Sequence, residues 1–259
     1  MQASDKKTTV ERRSLILKTL ESKGQVSVNE LSNTFGVSEV TIRNDLSQLE
    51  EKNMLLRARG GAIKLETVGF DFELSDKDKI HLKEKQKIGQ RASAFVHEGD
   101  TIIIDSGTTS MELARNLMQI NDLTVITNAL NIATQLAKNK NINTIIPGGF
   151  LRKQSMSLIG APAERGFKNY YCDKLFLGVD GLDIDFGLST PNVEEAHLNQ
   201  TMIEISKQVI LLADSSKFLR RSLAFICPVS SIDILITDNG IHPDTKRKLE
   251  HAGVEVVIA

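Results

Sequence analysis

The chain has 259 residues, of which 41% are hydrophobic and 25% charged, and its formal net charge at pH 7 is −1. This composition is typical of a globular protein and excludes an intrinsically disordered chain. No apolar run approaches the roughly 20 residues that cross a bilayer, and the polar residues 1–9 lack the apolar core of a signal peptide. We therefore expect a cytoplasmic protein that makes no contact with the membrane.

The cysteines and histidines give no sign of a metal site or a disulfide. Cys172 and Cys227 lie far apart and in no metal-ligand spacing, and the five histidines likewise follow no such spacing. Two isolated cysteines are typical of a protein in a reducing compartment. We expect neither a metal nor a cofactor.

Charge is distributed unevenly along the chain. Residues 1–65 hold 11 Lys and Arg against 8 Asp and Glu, whereas the remaining 194 residues hold 21 against 25. A basic head on an acidic body fits a head that meets a phosphate backbone. The difference is small, and by itself it favours nucleic acid only weakly.

The first 65 residues predict three helices in close succession. A first helix ends at Gly24, and a second begins at Ser27, which forms a capping-box pattern with Glu30. Gly36 permits a tight turn, after which Ser38 caps a third helix. The apolar side of the first helix consists of Val10, Leu15, Ile16, Leu17 and Leu20. A helix, a short glycine turn and a capped helix make up the helix-turn-helix pattern of DNA-binding proteins.

Polar side chains crowd the first turns of the third helix, which is the part that would enter a major groove. Arg43 has the paired donors that suit guanine, and Asn44 has the donor and acceptor that suit adenine. The candidate DNA-contacting residues of this helix are Ser38, Glu39, Thr41, Arg43 and Asn44.

Residues 54–65 follow as two strand-like runs around Arg59-Gly60-Gly61, which predicts a hairpin wing. Arg57 and Arg59 are placed to reach phosphate or a minor groove from this wing. A small helical bundle with solvated Arg and Asn side chains is the alternative. The ordered set of caps, recognition residues and wing favours DNA binding.

These motifs resemble those of a known family. Residues 38–46, SEVTIRNDL, and residues 57–62, RARGGA, are similar to the signature of the DeoR family of bacterial sugar-catabolism regulators. The spacing from Arg13 through Leu31 to Ser38 agrees as well. The resemblance implies a winged helix-turn-helix head that binds double-stranded operator DNA.

After an aperiodic, charged stretch at residues 66–78, which indicates a linker, the pattern changes to that of an α/β domain. Residues 80–96 predict an amphipathic helix, and short apolar runs then alternate with helical stretches. The predicted buried strands are 101–105, 123–127, 143–147, 175–179, 209–213, 233–237 and 254–258. Buried strands that alternate with helices predict a mostly parallel sheet covered on both faces. The expected organisation is a head at 1–65, a linker at 66–78 and an α/β domain at 79–259.

Polar residues follow these strands at the ends where ligands bind in such sheets. Residues 105–109, DSGTT, combine a glycine, hydroxyls and the start of a helix, which is a pattern suited to phosphate. No Gly-Lys-Ser/Thr follows, so a nucleoside triphosphate is not expected. An ordinary strand-to-helix turn is the alternative for any one of these loops, but several at one edge favour a phosphosugar site. The candidate effector-binding residues are Asp105, Ser106, Gly107, Thr108, Thr109, Asn128, Gly148, Gly149, Arg152, Asp180, Glu194 and Lys217.

The second part also resembles the effector domain of the DeoR family, which is similar to ribose-5-phosphate isomerases and glucosamine-6-phosphate deaminases. The resemblance rests on residues 105–109 and on residues 214–217, DSSK. It implies a sugar-phosphate-isomerase-like fold. It further implies that a phosphorylated sugar binds this domain and loosens the grip of the head on its operator.

Two other classes of function are alternatives to a repressor. An isomerase or deaminase needs a general base and a cation beside the reacting carbon, but the lysine and glycine run that would follow Asp180-Gly-Leu-Asp183 is absent. We therefore expect ligand binding without catalytic residues. A phosphosugar-binding module that meets RNA or protein through its head is less supported, because nothing resembles the aromatic stacking platforms of RNA readers and the chain has no Trp and two Tyr. One head offers few base contacts, so we expect a homo-oligomer, either a dimer or a tetramer.

Overall fold

The computed structural model of the protein describes residues 8–51, 54–58, 60–64, 74–78 and 80–259. Contacts divide the chain into two compact units, residues 1–67 and residues 68–259. Arg59 and residues 66–73 of the predicted linker lie outside the described residues. Within the described ranges, no helix has the length and apolarity that a membrane span requires.

Among its described residues, the first unit contains the three predicted helices and a small antiparallel sheet. The helices are α1 (Thr9–Lys23), α2 (Val28–Phe35) and α3 (Glu39–Glu51). The strands are β1 (Gln25–Ser27), β2 (Leu56–Ala58) and β3 (Gly61–Ile63), in the order β1-β3-β2. The predicted wing is the β2–β3 hairpin, and β1 is an unpredicted third strand of only three residues.

The predicted helix ends are confirmed, but one predicted capping contact and one predicted core residue are not. Gly24 ends α1 in the left-handed region at φ 75°, and the Ser27 hydroxyl accepts from the Glu30 N–H. However, the Glu30 carboxylate pairs with Lys23, at 2.5 Å, so the reciprocal half of the predicted capping box does not form there. Val10, expected on the apolar side of α1, is 78% exposed because it lies in the first turn, beyond the core of the head. That core is formed by Ile16, Leu20, Val26, Val28, Leu31, Ile42, Leu46, Leu49, Leu55 and Ala62.

The second unit is built on a seven-stranded parallel sheet. Its helices are α4 (Leu74–Lys77), α5 (Leu82–Ser93), α6 (Thr108–Asn116), α7 (Leu130–Leu136), α8 (Ala161–Phe167), α9 (Val193–Glu204) and α10 (Pro243–His251). Its strands are β4 (Thr101–Ile104), β5 (Leu123–Ile126), β6 (Ile142–Ile145), β7 (Phe150–Arg152), β8 (Ser157–Ile159), β9 (Cys172–Gly178), β10 (Gly181–Asp183), β11 (Gly187–Thr190), β12 (Ser206–Leu212), β13 (Ala224–Cys227), β14 (Ile234–Thr237) and β15 (Glu255–Ile258). The sheet order is β15-β14-β12-β9-β4-β5-β6, so all seven predicted strands are present.

The strands of this sheet are buried on both faces, which explains their continuous apolar runs. Within β4, the side chain of Ile103 packs into one core and those of Ile102 and Ile104 pack into the other. Leu175 and Leu177 of β9 join the first of these cores. The fold is therefore a three-layer α/β arrangement.

Short antiparallel strands escaped prediction. β7 and β8 form a hairpin, and β10, β11 and β13 form a separate sheet in the order β10-β11-β13. Each has three or four residues, which is too few for an alternating pattern to stand out in a sequence.

Candidate functional site

The exposed start of α3 carries the predicted DNA-contacting side chains. The Ser38 hydroxyl caps the helix by accepting from the Thr41 N–H, at 3.2 Å. Arg43 and Asn44 are exposed, and the Arg43 guanidinium pairs with Glu39 at 2.5 Å. Because both partners of that pair are about half exposed, water screens it, and Arg43 is available to a base edge at a modest cost.

A buried ion pair fixes α3 to α1. Asp45 is 2% exposed, and its two carboxylate oxygens accept from Nε of Arg12, at 2.5 Å, and from Nε of Arg13, at 2.8 Å. Sequence reasoning missed this role, although an acid directly before the core residue Leu46 is a detectable signal. The pair sets the position of the recognition helix relative to the rest of the head.

Arg57 connects the wing to α3. Its Nη1 donates to the carbonyl oxygen of Arg43, at 3.0 Å, and to the Ser47 hydroxyl, at 2.8 Å, while its backbone N–H donates to Glu50. In this arrangement Arg57 braces β2 against the recognition helix. Contact of Arg57 with phosphate stays a prediction, and the same role predicted for Arg59 falls on a residue outside the described ones.

In the second unit the order in which successive strands are added to the parallel sheet reverses between β4 and β9. Read from the β6 edge and numbered along the chain, its strands lie in the order third, second, first, fourth, fifth, sixth and seventh. The strand that follows β4 in the chain therefore lies on one side of this pair, and the strand that follows β9 in the sheet lies on the other. Ligands bind at such a switch point, beyond the carboxyl ends of the strands. Asp105 follows β4 and Asp180 follows β9, which places both predicted residues at that crevice.

The DSGTT loop leads into the free N–H groups of α6. Gly107, at φ 138°, precedes the helix, which begins with Thr108 and Thr109. The Ser110 hydroxyl is completely buried and has no hydrogen-bond partner among the described residues. It lies 3.7 Å from the point that a Cβ on Gly178 would occupy, next to the switch point. An unpaired buried hydroxyl at a helix N-terminus suits a ligand rich in oxygen.

Glu195, the neighbour of the predicted Glu194, enters the polar cluster at this edge. Its Oε1 accepts from Arg152 Nη1 at 3.1 Å and from the Ser155 hydroxyl at 2.6 Å, and its Oε2 accepts from Thr190 at 3.4 Å. Glu194 is exposed, and its Oε1 lies 3.8 Å from the point that a Cβ on Gly160 would occupy. The predicted residue Arg152 therefore lies in this cluster, and Glu195 holds it there.

Asp180 and Lys217, both predicted, come together with a lysine that was not. Asp180 Oδ1 accepts from Lys77 Nζ at 2.7 Å and lies 3.9 Å from Lys217 Nζ. Burial opposes ionisation of this carboxyl, but the two lysines prevail and hold its pKa at about 2. Lys217 itself ends a short 3-10 turn, Ser215–Lys217, that Asp214 caps.

Two further buried groups at this edge have displaced pKa values. Burial, and then the charge of Glu195, raises the pKa of Asp105 to about 7. Burial, and then the charge of Lys217, lowers the pKa of Lys85 to about 8. Lys85 is 4% exposed and donates to the carbonyl oxygen of Lys77 at 2.5 Å. The edge therefore contains groups whose charge responds to a bound ion near neutral pH.

The remaining predicted residues lie on the β5 and β6 side of the edge. Asn128 is buried, and its Oδ1 has no partner among the described residues. Gly149 has φ 133°, and a Cβ there would lie 2.9 Å from Cβ of Ala163, so this glycine lets the loop pack on α8. Gly148 faces open space.

A cavity of about 580 Å³ opens beside the start of α6. This volume is within the usual range for small-molecule sites. The cavity is lined by Leu74, Asp78, Thr108, Met111, Arg115, Asn131, Lys153, Gln154 and Met156. Thr108 is common to the cavity and the predicted phosphate loop, so the two are contiguous.

Comparison with known proteins identifies the family. Residues 12–68 match a DeoR-like helix-turn-helix domain, and residues 80–239 match a DeoR C terminal sensor domain. The chain belongs to the DeoR family. A putative aga operon transcriptional repressor of Escherichia coli O157:H7 is 41% identical to it over 252 residues, which are 96% of this chain and 94% of that protein. The HTH-type transcriptional regulator GlpR of Haloferax volcanii is 36% identical, over 95% of this chain and 96% of that protein.

This DeoR-family regulator also has a distant likeness among solved structures. A ribose 5-phosphate isomerase A from Methanocaldococcus jannaschii matches with a TM-score of 0.41 and 15% identity, over 54% of this chain and 55% of that one.

Proposed function

We propose that this DeoR-family protein represses a sugar-catabolic operon and that a phosphorylated sugar releases it from its operator. The observation that carries the proposal is the pairing of a winged helix-turn-helix head with a sensor unit whose switch point contains an unpaired buried hydroxyl, Ser110, at a helix N-terminus. A bound phosphate would accept from the free N–H groups of α6 and attract Lys217. Sugar hydroxyls would bond to Asp180, Glu195 and Arg152.

An amino sugar phosphate is the first candidate for the effector. Residues 177–182, LGVDGL, residues 187–190, GLST, and Lys217-Phe218 are similar to the repressor of N-acetylgalactosamine and galactosamine catabolism. The relative from Escherichia coli is named for an aga operon. Galactosamine 6-phosphate is accordingly the compound that we would test first.

We infer that the site binds its ligand without turnover. A general base works best when its pKa is near the operating pH. Asp180, at the position of the isomerase carboxylate motif, has a pKa of about 2 and is therefore a weak base. Asp105 has a pKa of about 7 and would be a better base, but the lysine and glycine run that would hold the enediolate charge after Asp183 is absent. Nuclear magnetic resonance of sugar phosphates incubated with the protein tests this inference, and formation of product would contradict it.

The functional form that we propose is a dimer or tetramer on double-stranded DNA in the cytoplasm. A single recognition helix reads only a few base edges, and a second head would supply both affinity and half-site spacing. Sedimentation of the protein with and without operator DNA measures the number of subunits, and a monomer on DNA would contradict this form.

Direct calorimetric titration of the full chain tests the ligand class. Galactosamine 6-phosphate, tagatose 6-phosphate and ribose 5-phosphate would be compared with free galactosamine. We expect one phosphorylated sugar to bind and Lys217→Met to weaken its binding by about tenfold or more, since a charged hydrogen bond is lost. Lys207→Met, at an exposed lysine on β12 that pairs with Asp173, is the matched control and should leave affinity unchanged. Equal binding of free galactosamine, or full affinity in the Lys217 variant, would overturn the assignment.

A further inference from the structure

The short helix α4, which follows the head in the chain, is fastened at both ends to the sensor unit. At its start, the Leu74 N–H donates to the carbonyl oxygen of Gln154, in the β7–β8 turn, at 2.9 Å. At its end, Lys77 Nζ donates to Asp180 at 2.7 Å. The carbonyl oxygen of Lys77 in turn accepts from Lys85 Nζ at 2.5 Å. Residues 74–78, called the strap below, are thus connected to three separate elements.

One of these connections, the ion pair of Lys77 with Asp180, is to a predicted effector-binding residue. The side chains of Lys77 and Asp180 are 23% and 24% exposed, so their ion pair is largely shielded from water. Lys217 lies farther from the same oxygen, at 3.9 Å. Lys77 therefore occupies the oxygen of Asp180 with which a hydroxyl of the bound sugar would bond.

The strap also forms a wall of the cavity beside α6. Leu74 and Asp78 line that cavity together with Thr108, the first residue of α6. A phosphate carries a charge of about −1.5 to −2 near neutral pH, which is more than the single charge of Asp180. A phosphate at the start of α6 would therefore attract the Lys77 ammonium away from Asp180. The same phosphate would repel the carboxylate of Asp78.

We propose that the strap is a latch that the sugar phosphate opens. In the free sensor, Lys77 holds residues 74–78 on Asp180. An anionic sugar in the cavity competes with Asp180 for the Lys77 ammonium and repels the carboxylate of Asp78, which lines the cavity. A ligand shifts such an equilibrium only through different affinity for the two states, and here the difference is the competition for one carboxylate and one ammonium. This inference rests on the proposed function, in which a sugar phosphate bound to the sensor unit releases the head from DNA. The strap lies in the chain between the head and the first strand of the parallel sheet.

Hydrogen–deuterium exchange of the full chain, followed by mass spectrometry, tests the latch. In the absence of sugar, Lys77→Met should speed exchange of the amides of residues 74–78 by about tenfold or more, since a shielded charged hydrogen bond is lost. Lys87→Met, at an exposed lysine of α5, is the matched control and should exchange like the wild type. Amides of α10 should be unchanged in both variants, which shows that the fold is intact. Wild-type exchange rates in the Lys77 variant would overturn the latch.

Adding galactosamine 6-phosphate to the wild type should speed exchange of the same amides. If this sugar phosphate releases operator DNA while residues 74–78 stay equally protected or become more protected, the latch is wrong and the repressor proposal stands. If no sugar phosphate of the panel binds or releases DNA, the repressor proposal fails and the latch fails with it. The two failures are therefore distinguishable in one set of samples.

Discussion

The carboxylate of Asp45 is paired with two arginines inside the DNA-binding head. Asp45→Ala would leave the Arg12 guanidinium, whose side chain is 9% exposed, as a buried charge without its acid. Breaking a buried pair in this way costs about 3–5 kcal/mol. At about 0.05–0.15 kcal/mol per residue, a unit of 67 residues has roughly 3–10 kcal/mol of stability. The variant head should therefore lose between about a third and all of its stability, while the sensor unit stays folded.

Two optical signals separate the units in a urea titration. The chain has no Trp, and both tyrosines, Tyr170 and Tyr171, lie in the second unit. Tyrosine fluorescence thus reports the sensor unit, whereas far-ultraviolet circular dichroism reports both. We expect Asp45→Ala to move part of the dichroism transition to lower urea with the fluorescence transition unchanged. Glu51→Ala, at an exposed acid of the same helix, is the control.

The double variant Arg12→Met with Asp45→Leu checks the cause. Replacing both charged partners by apolar groups is often nearly neutral, so this variant should recover much of the stability lost in Asp45→Ala. If Asp45→Ala destabilises the head by less than about 1 kcal/mol, which is the range of an exposed pair, the reasoning from burial is wrong.

Three further predictions concern other parts of the chain. The fold raises the pKa of Asp105 to about 7, so its protonated carboxyl contributes stability that is complete below about pH 4 and is lost as the pH rises through about 7. Relative to Asp105→Asn, the free energy of unfolding of the wild type in urea titrations should fall by about 2–3 kcal/mol between about pH 5 and about pH 8. The same pH dependence of this free energy in both proteins would contradict the prediction. Gly89→Ala would put a Cβ 2.5 Å from the backbone of Glu112, so α5 and α6 must separate and the free energy of unfolding should fall by about 1–3 kcal/mol. An unchanged Tm of the variant would refute this prediction. Arg57→Met removes the brace on α3 and should weaken operator binding by about tenfold in fluorescence anisotropy, with sugar-phosphate affinity unchanged; equal affinity for DNA would show that the brace is dispensable.

The strands of the large sheet were predictable because burial on both faces produces continuous apolar runs. Ile102, Ile103 and Ile104 illustrate this, since neighbouring side chains of one strand enter different cores. The order of the strands was not predictable in the same way. Pairing of β4 with β9 joins residues more than 70 positions apart, and nothing local to either strand specifies the partner.

The candidate site was predictable where a motif carries it and not where the tertiary structure assembles it. Residues 105–109 lie at the switch point, as their composition indicated. Lys85 lies in a helix rich in charge, so its burial leaves no local trace in the sequence. Glu194 and Glu195 are adjacent, and which one points inward depends on where α9 begins. Asn192 fixes that start by accepting from the Glu195 N–H.

The most direct test of the central claim is an operator mobility shift titrated with sugar phosphates. DNA from upstream of the protein's own gene and its neighbours would be the probe, and Arg43→Ala would be the control for specific readout by α3. The account predicts a specific shift that one phosphorylated sugar reverses and its unphosphorylated form does not, and no specific shift with the variant. A wild-type shift that no sugar phosphate reverses, or turnover of the sugar without any binding of DNA, would contradict it.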